Sequence, residues 1–148
     1  FNLHHIYLNQ SLHSKKSAFE RIAEIAVDLK LADSTQPIVD GLLNREQQGT
    51  TGFLDGFAIP HTKSSAIQKP GVVILTSTDG IEWEALDGAP VTFLIALLIP
   101  ESEAGTTHLT LLSHISRMLI HADIRQSLLQ SQAPEEIFET FQQALVNA

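Results

Sequence analysis

The stretch VTFLIALLI, Val91–Ile99, is a run of nine residues that is apolar throughout except for Thr92. A helix that crosses a bilayer needs ~20 apolar residues, so this run is too short to span a membrane. A strand buried on both faces has such a continuous pattern, whereas a half-exposed strand alternates between apolar and polar residues. The run therefore predicts a central strand in a sheet that helices cover on both sides.

A hairpin is predicted just before this strand. Val72–Leu75 is a short β-branched run, and Asp79-Gly80 is a strong signal for a tight turn. After that turn, apolar and acidic residues alternate as in a half-exposed strand, and the apolar ones are Ile81, Trp83 and Ala85. Because a hairpin joins antiparallel strands, the sheet is not purely parallel.

A strand and two helices are predicted before the hairpin. Ile6–Leu8 favours a short strand, and Ser14 then offers the hydroxyl of a helix N-cap. Apolar residues follow it at helical spacing, namely Ala18, Phe19, Ile22, Ile25, Ala26 and Leu29. Pro37 suits the first turn of a second helix, which we expect to end near Gln47 or Gln48.

Three more helices are predicted after the apolar strand. Thr106 or Thr107 caps the first of them, which places His108 in its first turn. A short helix that contains Ile124 and a terminal helix opened by Pro134 follow. Because helices precede and follow the strands, we predict an α/β fold in which a mixed sheet is sandwiched between helices.

Composition narrows the class of protein. The length fits one domain, so we treat residues 1–148 as a single unit. The chain has no cysteine, which excludes disulfides, thiolate metal sites and cysteine nucleophiles. The N-terminal residues lack the basic start and apolar middle of a signal peptide. We therefore expect a cytoplasmic protein that does not insert into a membrane.

The charge distribution argues against nucleic acid as a partner. The net charge is −8, and no Lys or Arg occurs between Lys69 and Arg117. The acidic residues of that interval are Asp79, Glu82, Glu84, Asp87, Glu101 and Glu103. Such a surface repels a phosphate backbone and favours a protein partner with a basic or apolar face, unless it serves only solubility.

Seven histidines are the main reactive side chains. No H-x-x-x-H or H-E-x-x-H spacing occurs, and no carboxylate between His114 and His121 completes a helical site, so neither a metal nor another cofactor is expected. Ser64 and Ser65 follow His61, but no G-x-S-x-G elbow supports a hydrolase. The remaining use is histidine as a nucleophile toward phosphorus, since a neutral imidazole needs no strong base.

The stretch GTTGFLDGFAIPH, Gly49–His61, predicts a loop with at most a brief strand at Phe57–Ile59. A nucleophilic histidine needs a hydrogen bond to its second ring nitrogen, and the incoming phosphoryl oxygens need donors. The candidate donors are Arg45, His108 at the positive end of its helix, and the backbone near Gly52 and Gly56. From the residues alone, a Pro-His pair after glycines is more often an ordinary turn than an active site, and both interpretations remain open.

The segment R-E-x-x-x-T-T-G-F-L-D-G-F-A-I-P-H-T-K, Arg45–Lys63, resembles the phosphorylation-site motif of one protein family. This family comprises the enzyme IIA components of the bacterial phosphoenolpyruvate:sugar phosphotransferase system, in the fructose/mannitol (type 2) class. The resemblance covers nearly the whole chain. It implies that His61 accepts a phosphoryl group and that His108 and Arg45 complete the active site. It also implies a mixed sheet of about five strands between helices, in agreement with the pattern-based prediction.

The resemblance further implies a phosphoryl relay. The phosphocarrier HPr would dock on an acidic, partly apolar surface around His61 and supply the phosphoryl group. An enzyme IIB component would take it on, for uptake of a fructose- or mannitol-like sugar through the membrane component IIC. A regulatory, nitrogen-type enzyme IIA that controls other proteins without sugar transport is the alternative. The intact R-E and A-I-P-H segments argue against a third possibility, a non-catalytic binding module.

Overall fold

The architecture is a mixed five-stranded sheet between two layers of helices, which confirms the predicted fold class. A computed structural model describes residues 3–103 and 105–146, and the side chains of these residues other than 107, 108, 145 and 146. The strands are β1 (Ile6–Gln10), β2 (Phe57–Ala58), β3 (His61–Ser64), β4 (Gly71–Ile81) and β5 (Val91–Pro100). The helices are α1 (Lys15–Asp28), α2 (Gln36–Gln47), α3 (Thr107–Ile120), α4 (Ala122–Gln130) and α5 (Pro134–Val146). None of the helices in this described part has the length and apolarity to cross a membrane.

Strand β5 is the centre of the sheet. The strand order is β1-β4-β5-β2, and β3 follows β2 along the same side of β5. β4 and β5 are antiparallel, β1 is parallel to β4, and both β2 and β3 are parallel to β5. The prediction of a central strand at this apolar run is therefore confirmed.

Alternate side chains of β5 belong to two separate cores. Leu94, Ala96 and Leu98 join the core formed with α1 and α2. Ile95 and Leu97 join the core formed with α3, α4 and α5. All five are 0% exposed, and a buried Leu or Ile side chain contributes ~1.5–3 kcal/mol. A shift of β5 by one residue would exchange its two faces, so these cores hold its register and that of the strands beside it.

The two N-terminal helices begin where the sequence predicts. The Ser14 hydroxyl accepts from the Ser17 N–H at 3.0 Å, and the Ser17 hydroxyl accepts from the Ser14 N–H at 3.0 Å. This reciprocal capping box satisfies donors that the first turn of α1 leaves unpaired, a contribution of ~1 kcal/mol. Helix α2 has Pro37 in its first turn and Arg45 in its last. Its C-terminal end at Gln47 agrees with the prediction.

The predicted hairpin with its turn at Asp79-Gly80 is wrong, although β4 does take part in an antiparallel pair, with β5. Strand β4 continues through both residues to Ile81, and the connection to β5 is residues 82–90. A Cβ on Gly80 would lie 2.8 Å from Cβ of Pro90. The glycine therefore permits close packing against the neighbouring segment, a second reason for glycine in a strand besides turn formation.

Trp83 lies in this connection and not on a half-exposed strand as predicted. The backbone leaves the extended region at Glu84, whose φ is 61°, so a regular strand cannot continue there. Trp83 is 0% exposed, and its ring meets that of Phe19 edge-on with centroids 5.5 Å apart. The alternation of apolar and acidic residues thus predicts correctly which side chains are buried, although the segment is not a strand.

Strand β3 was not predicted as a strand. We expected His61 at the far edge of a loop, but it is the first residue of β3 and pairs in parallel with Leu97. The sequence of β3, H-T-K-S, has no apolar pattern that would indicate a strand. Pairing with β5 forms this strand at the edge of the sheet, next to α2.

His5 is a buried histidine just before β1. It is 8% exposed, and its Nδ1 donates to the Val72 carbonyl at 3.0 Å. Burial lowers the pKa of the His5 imidazole, and the hydrogen bond to the Val72 carbonyl opposes that shift in part. The folded state therefore favours the neutral ring.

We expect the protein to lose stability as the pH falls below about 6.5, the pKa of an unperturbed histidine. Because the pKa of His5 is lower in the folded state, the unfolded state takes up the proton first. The contribution of His5 to the free energy of unfolding is thus fully present above that pH and is lost below it. His5→Asn keeps a donor near the position of Nδ1 and removes the titration. Urea unfolding at about pH 7.5 and about pH 5.5 should give a smaller loss of unfolding free energy for the variant than for the wild type. Equal losses would contradict the assignment.

Candidate active site

His61 lies at the sheet edge, where β3 begins beside the last turn of α2. It is 7% exposed. The Nε of Arg45 lies 3.0 Å from Nε2 of His61, and the carbonyl oxygen of Ile59 lies 2.8 Å from its Nδ1. The fold thus brings together two residues that the sequence analysis proposed as parts of one site, and it adds a backbone carbonyl that no side-chain pattern indicated.

These two contacts determine which ring nitrogen carries the proton. The guanidinium of Arg45 only donates, so Nε2 of His61 must accept through its lone pair. The Ile59 carbonyl only accepts, so Nδ1 must carry the hydrogen. The ring that fits this site is neutral, with its proton on Nδ1 and its lone pair on Nε2. This is the form in which imidazole acts as a nucleophile.

Arg45 has a second contact that fixes its position. Its Nη1 donates to the carbonyl of Gly49 at 2.8 Å. The carbonyl belongs to the residues just after α2, so the guanidinium is held between the end of the helix and the histidine ring. The Nε and Nη1 groups of Arg45 therefore each have a fixed acceptor, one in the His61 ring and one just after α2.

An open cleft of about 340 Å³ lies in front of His61. Besides His61 and Arg45, the described residues that line it are Gly41, Asn44, Gln48, Thr62 and Lys63. Arg45 and Lys63 bring two cations to this lining, which includes no carboxylate among the residues described. The expectation of an acidic surface directly around His61 is therefore wrong for the cleft. The cleft suits an anion.

The close approach of α2 to β3 depends on Gly41. A Cβ at this position would collide with Oγ1 of Thr62, and its distance from Cβ of Thr62 would be 3.2 Å. Thr62 is 7% exposed and faces the helix, whereas His61 and Lys63 alternate to the other side of the edge strand. The absence of a side chain at Gly41 lets the end of α2 lie close enough for Arg45 to reach the ring.

His108 has the predicted place in the backbone, in the first turn of α3. Its side chain lies outside the described residues. His114 and His121 lie further along the same helix and at its end, and the described contacts do not bring them to His61. Over the described ranges, no group of three or more His, Asp or Glu residues is arranged to hold a metal ion.

Gly52 and Gly56 serve the loop and not an anion site, which corrects the expectation for them. A Cβ on Gly52 would lie 2.7 Å from Cβ of Ala85, so this glycine permits packing against the hairpin connection. Gly56 has a φ of 83°, a left-handed conformation that favours glycine. Neither residue is among those that line the cleft.

An ion pair missed by the sequence analysis ties this loop to the opposite helix layer. Arg125 in α4, 8% exposed, donates from Nε to the Asp55 carboxylate at 2.8 Å and from Nη1 to the Leu119 carbonyl at 2.6 Å. The Asp55 N–H donates in turn to the Asp87 carboxylate at 2.9 Å. This bond and a second from the Ala89 N–H lower the pKa of the Asp87 carboxyl. A solitary arginine in an amphipathic helix gave no sequence signal for such a role.

Comparison with known proteins assigns the family. The family described as "Phosphoenolpyruvate-dependent sugar phosphotransferase system, EIIA 2" matches residues 1–144 of the 148-residue chain. The chain belongs to this EIIA family. The resemblance of Arg45–Lys63 to the motif of type 2 enzyme IIA components is thereby confirmed at the level of the family.

Individual EIIA relatives fall into two groups. The chain is 36% identical over 132 residues to the "PTS system fructose-specific EIIA component" of Haloferax volcanii, covering 89% of this chain and 85% of the relative. It is 39% identical over 126 residues to the "Nitrogen regulatory protein" of Pseudomonas aeruginosa, covering 85% and 81%. Family membership therefore does not decide between a sugar-transport and a regulatory role.

Solved EIIA structures share the fold. The nitrogen regulatory protein IIA-Ntr of Neisseria meningitidis superposes with a TM-score of 0.85 at 29% identity, with 94% of each chain covered. IIA mannitol of Escherichia coli gives a TM-score of 0.76 at 19% identity, with 95% of this chain and 97% of that chain covered. The second likeness concerns the fold alone.

Gly41→Ala should destabilise the protein even though alanine favours helices. The added methyl group would collide with Oγ1 of Thr62, and overpacking of this kind costs ~1–3 kcal/mol against ~1 kcal/mol gained in helix propensity. In a Thr62→Ala background the colliding atom is gone, so the same change should cost much less. Urea unfolding measures both effects. Gly105→Ala is the control, since nothing lies within 4 Å of a methyl group there. Equal stabilities of the Gly41 and Gly105 variants would contradict the close contact.

Proposed function

We propose that this chain carries a phosphoryl group on Nε2 of His61. It accepts the group from the phosphocarrier HPr and passes it to an enzyme IIB component for uptake of a fructose- or mannitol-like sugar through IIC. The observation that carries the proposal is the hydrogen bonding of the ring, with Arg45 at Nε2 and the Ile59 carbonyl at Nδ1. A nucleophile toward phosphorus needs a lone pair on one nitrogen and a held proton on the other, and this site provides both.

The transfer balances without a base. The Nε2 lone pair of His61 attacks the phosphorus of the HPr phosphohistidine, and the N–P bond to HPr breaks as the new N–P bond forms. The electron pair of the broken bond returns to the imidazole of HPr. Nε2 has no proton to release, and Nδ1–H remains bonded to the Ile59 carbonyl throughout.

Arg45 changes its acceptor during this step. In the unphosphorylated protein, the Nε–H of Arg45 occupies the Nε2 lone pair of His61, so the guanidinium must move aside when phosphorus approaches. The bond from Nη1 to Gly49 keeps the guanidinium nearby, where it donates to the phosphoryl oxygens. Lys63 supplies a second positive charge along the cleft, and His108, at the positive end of α3, is the proposed third auxiliary. Donors held near the transferred group stabilise the charge of the transition state, and the proposal involves no metal or cofactor.

We assign partner contact to the surface beside the cleft. The connection 82–90 carries the acidic residues of the hairpin and exposes Leu86, which is 68% accessible. The Leu86 N–H lies 3.4 Å from the Gly52 carbonyl, so this acidic, partly apolar connection adjoins the loop that leads to His61. The E. coli IIA mannitol structure in complex with phosphorylated IIB mannitol has the same fold, with a TM-score of 0.77 at 17% identity. We propose that HPr and IIB bind here in turn, in the cytoplasm.

Incubation with phosphoenolpyruvate, enzyme I and HPr should add one acid-labile phosphoryl group to the wild type, seen as a gain in intact mass. His61→Gln keeps a polar side chain of similar reach but has no imidazole lone pair, so it should gain none. His121→Gln, at an exposed position after α3, is the matched control and should be labelled like the wild type. A His61 variant that gains a phosphoryl group would contradict the assignment of His61 as the carrier. An unlabelled wild type would leave the non-catalytic binding module as the leading interpretation.

A regulatory role is the second candidate, because two observations favour it. The identity to the Pseudomonas aeruginosa nitrogen regulatory protein is 39%, and the TM-score to the Neisseria meningitidis IIA-Ntr structure is 0.85. The chemistry at His61 would be the same. In this case the phosphorylated and unphosphorylated forms would bind a target protein differently, with no sugar at the end of the relay.

Transfer to IIB separates the two candidates. Under the transport proposal, the phosphorylated protein should lose its phosphoryl group to the cysteine of a fructose-type IIB domain added in purified form. The His121→Gln protein is again the control, since it should donate equally well. Retention of the phosphoryl group with fructose- and mannitol-type IIB domains alike would favour the regulatory role.

A further inference from the structure

Glu46, the residue that follows Arg45 in the last turn of α2, has a buried carboxylate. Its side chain is 6% exposed and lies 3.2 Å from Nζ of Lys15. Oε1 accepts from the Thr51 N–H at 3.1 Å, from the Thr51 hydroxyl, and from Nε1 of Trp83 at 3.3 Å. A carboxylate with this many donors is fixed in one orientation, because each donor would lose a partner if it turned.

Two groups hold this carboxylate from the side of the core. The indole N–H of Trp83 is shared between Glu46 and Oγ1 of Thr51, at 3.3 Å from each. The Lys15 ammonium, which pairs with the Glu46 carboxylate, also lies over the Trp83 ring, 5.4 Å from its centre. Lys15 belongs to α1, so the arrangement connects both helices of this layer to the loop after α2. None of these contacts involves the cleft in front of His61.

A short chain of hydrogen bonds leads from Glu46 to the histidine ring. Glu46 holds the N–H and hydroxyl of Thr51. The Thr51 carbonyl accepts from the Ile59 N–H at 3.0 Å. The Ile59 carbonyl then accepts from Nδ1 of His61 at 2.8 Å. Three consecutive links therefore determine where the proton acceptor of the ring is placed.

The last turn of α2 thus acts on both nitrogens of the ring. Arg45 reaches Nε2 directly, and Glu46 reaches Nδ1 through Thr51 and Ile59. Since the two residues are adjacent on one helix, the donor for Nε2 and the chain of bonds that holds the acceptor for Nδ1 start from the same rigid element.

We propose that Glu46 is a positioning residue for His61, which holds the Ile59 carbonyl in place through Thr51 and so keeps the ring proton on Nδ1. Partners of this outer kind fix the tautomer of a histidine without touching the reacting atoms. This inference rests on the proposed phosphoryl transfer for its functional consequence, but its structural content does not. The tautomer of His61 is a property of the unphosphorylated protein.

Glu46→Gln is the decisive variant. The amide keeps one oxygen acceptor but loses the charge and directs an NH₂ group at neighbouring donors, so Thr51 loses part of its anchor. Asp40→Asn is the matched control, because it makes the same carboxylate-to-amide change at an exposed position of the same helix. Both proteins should fold, which far-ultraviolet circular dichroism would verify.

Nuclear magnetic resonance of protein with ¹⁵N-labelled histidine gives the first readout. The wild type and Asp40→Asn should show His61 as the Nδ1–H tautomer, whereas Glu46→Gln should show a larger share of Nε2–H. A general loss of stability would not change the tautomer of a folded molecule. An unchanged His61 signal in Glu46→Gln would overturn the proposal, whether or not the wild type accepts phosphoryl groups.

The rate of phosphoryl transfer from phospho-HPr gives the second readout. Glu46→Gln should slow it by about tenfold or more, by analogy with the loss of an outer partner of a metal-bound histidine, and Asp40→Asn should not. Thr51→Val should slow it too, and the double variant should be no slower than the slower single variant, because both changes break one chain of bonds. Additive effects would show that Glu46 acts by another route. If the wild type takes up no phosphoryl group, the proposed function fails and the tautomer measurement still decides this inference.

A Thr51 pair covers the case in which Glu46→Gln does not fold. Thr51→Val removes the hydroxyl at nearly constant volume, and Thr51→Ser restores it. The valine variant should lower the share of the Nδ1–H tautomer and the serine variant should retain it. Equal tautomer populations in the two folded variants would overturn the proposal.

Discussion

The site depends on one constraint, which is that an arginine guanidinium has no hydrogen-bond acceptor. Because Arg45 approaches Nε2 of His61 to 3.0 Å, the only compatible ring is one whose proton lies on Nδ1. That proton requires an acceptor, which is the Ile59 carbonyl two residues back. The loop before β3, the end of α2 and the first residue of the edge strand therefore have to be positioned together, within the tolerance of two hydrogen bonds.

The sheet and α2 position these groups with the required precision. Among the described strands, β3 pairs only with β5, so it lies at an edge of the sheet. α2 packs against β3, and Gly41 brings the helix close to Thr62. On the other side, β5 is held in register by two apolar cores. A reactive ring on a polar edge strand is thus supported by the most apolar segment of the chain.

Much of the fold follows from local patterns in the sequence, but the exceptions have a common cause. The apolar run of β5, the N-cap of α1 and the proline in the first turn of α2 indicate their elements directly, because burial, capping and a fixed φ depend on residue type. Asp79-Gly80 has the composition of a turn, yet β4 continues through it, and Ile81 pairs with Val91 after a register shift, so tertiary contacts override the local preference. β3 has no apolar pattern at all, since its strand arises from its neighbours. Within the site, the motif brought Arg45 and His61 together, whereas the Ile59 carbonyl and the Thr51 backbone are groups that every residue has. Only the fold distinguishes them.

The charge of the protein acts differently at long and short range. The net charge of −8 would oppose an incoming phosphoryl group if all charges acted equally. At physiological ionic strength, however, exposed charges more than about 8 Å away are largely screened. Arg45 contacts the ring directly, and Lys63 lines the same cleft, whereas the carboxylates of the hairpin connection lie outside its described lining. The local cations therefore dominate at His61 itself. The acidic exterior affects which protein surface approaches the cleft, and a partner that presents cations around its phosphorylated residue would be attracted by both features at once.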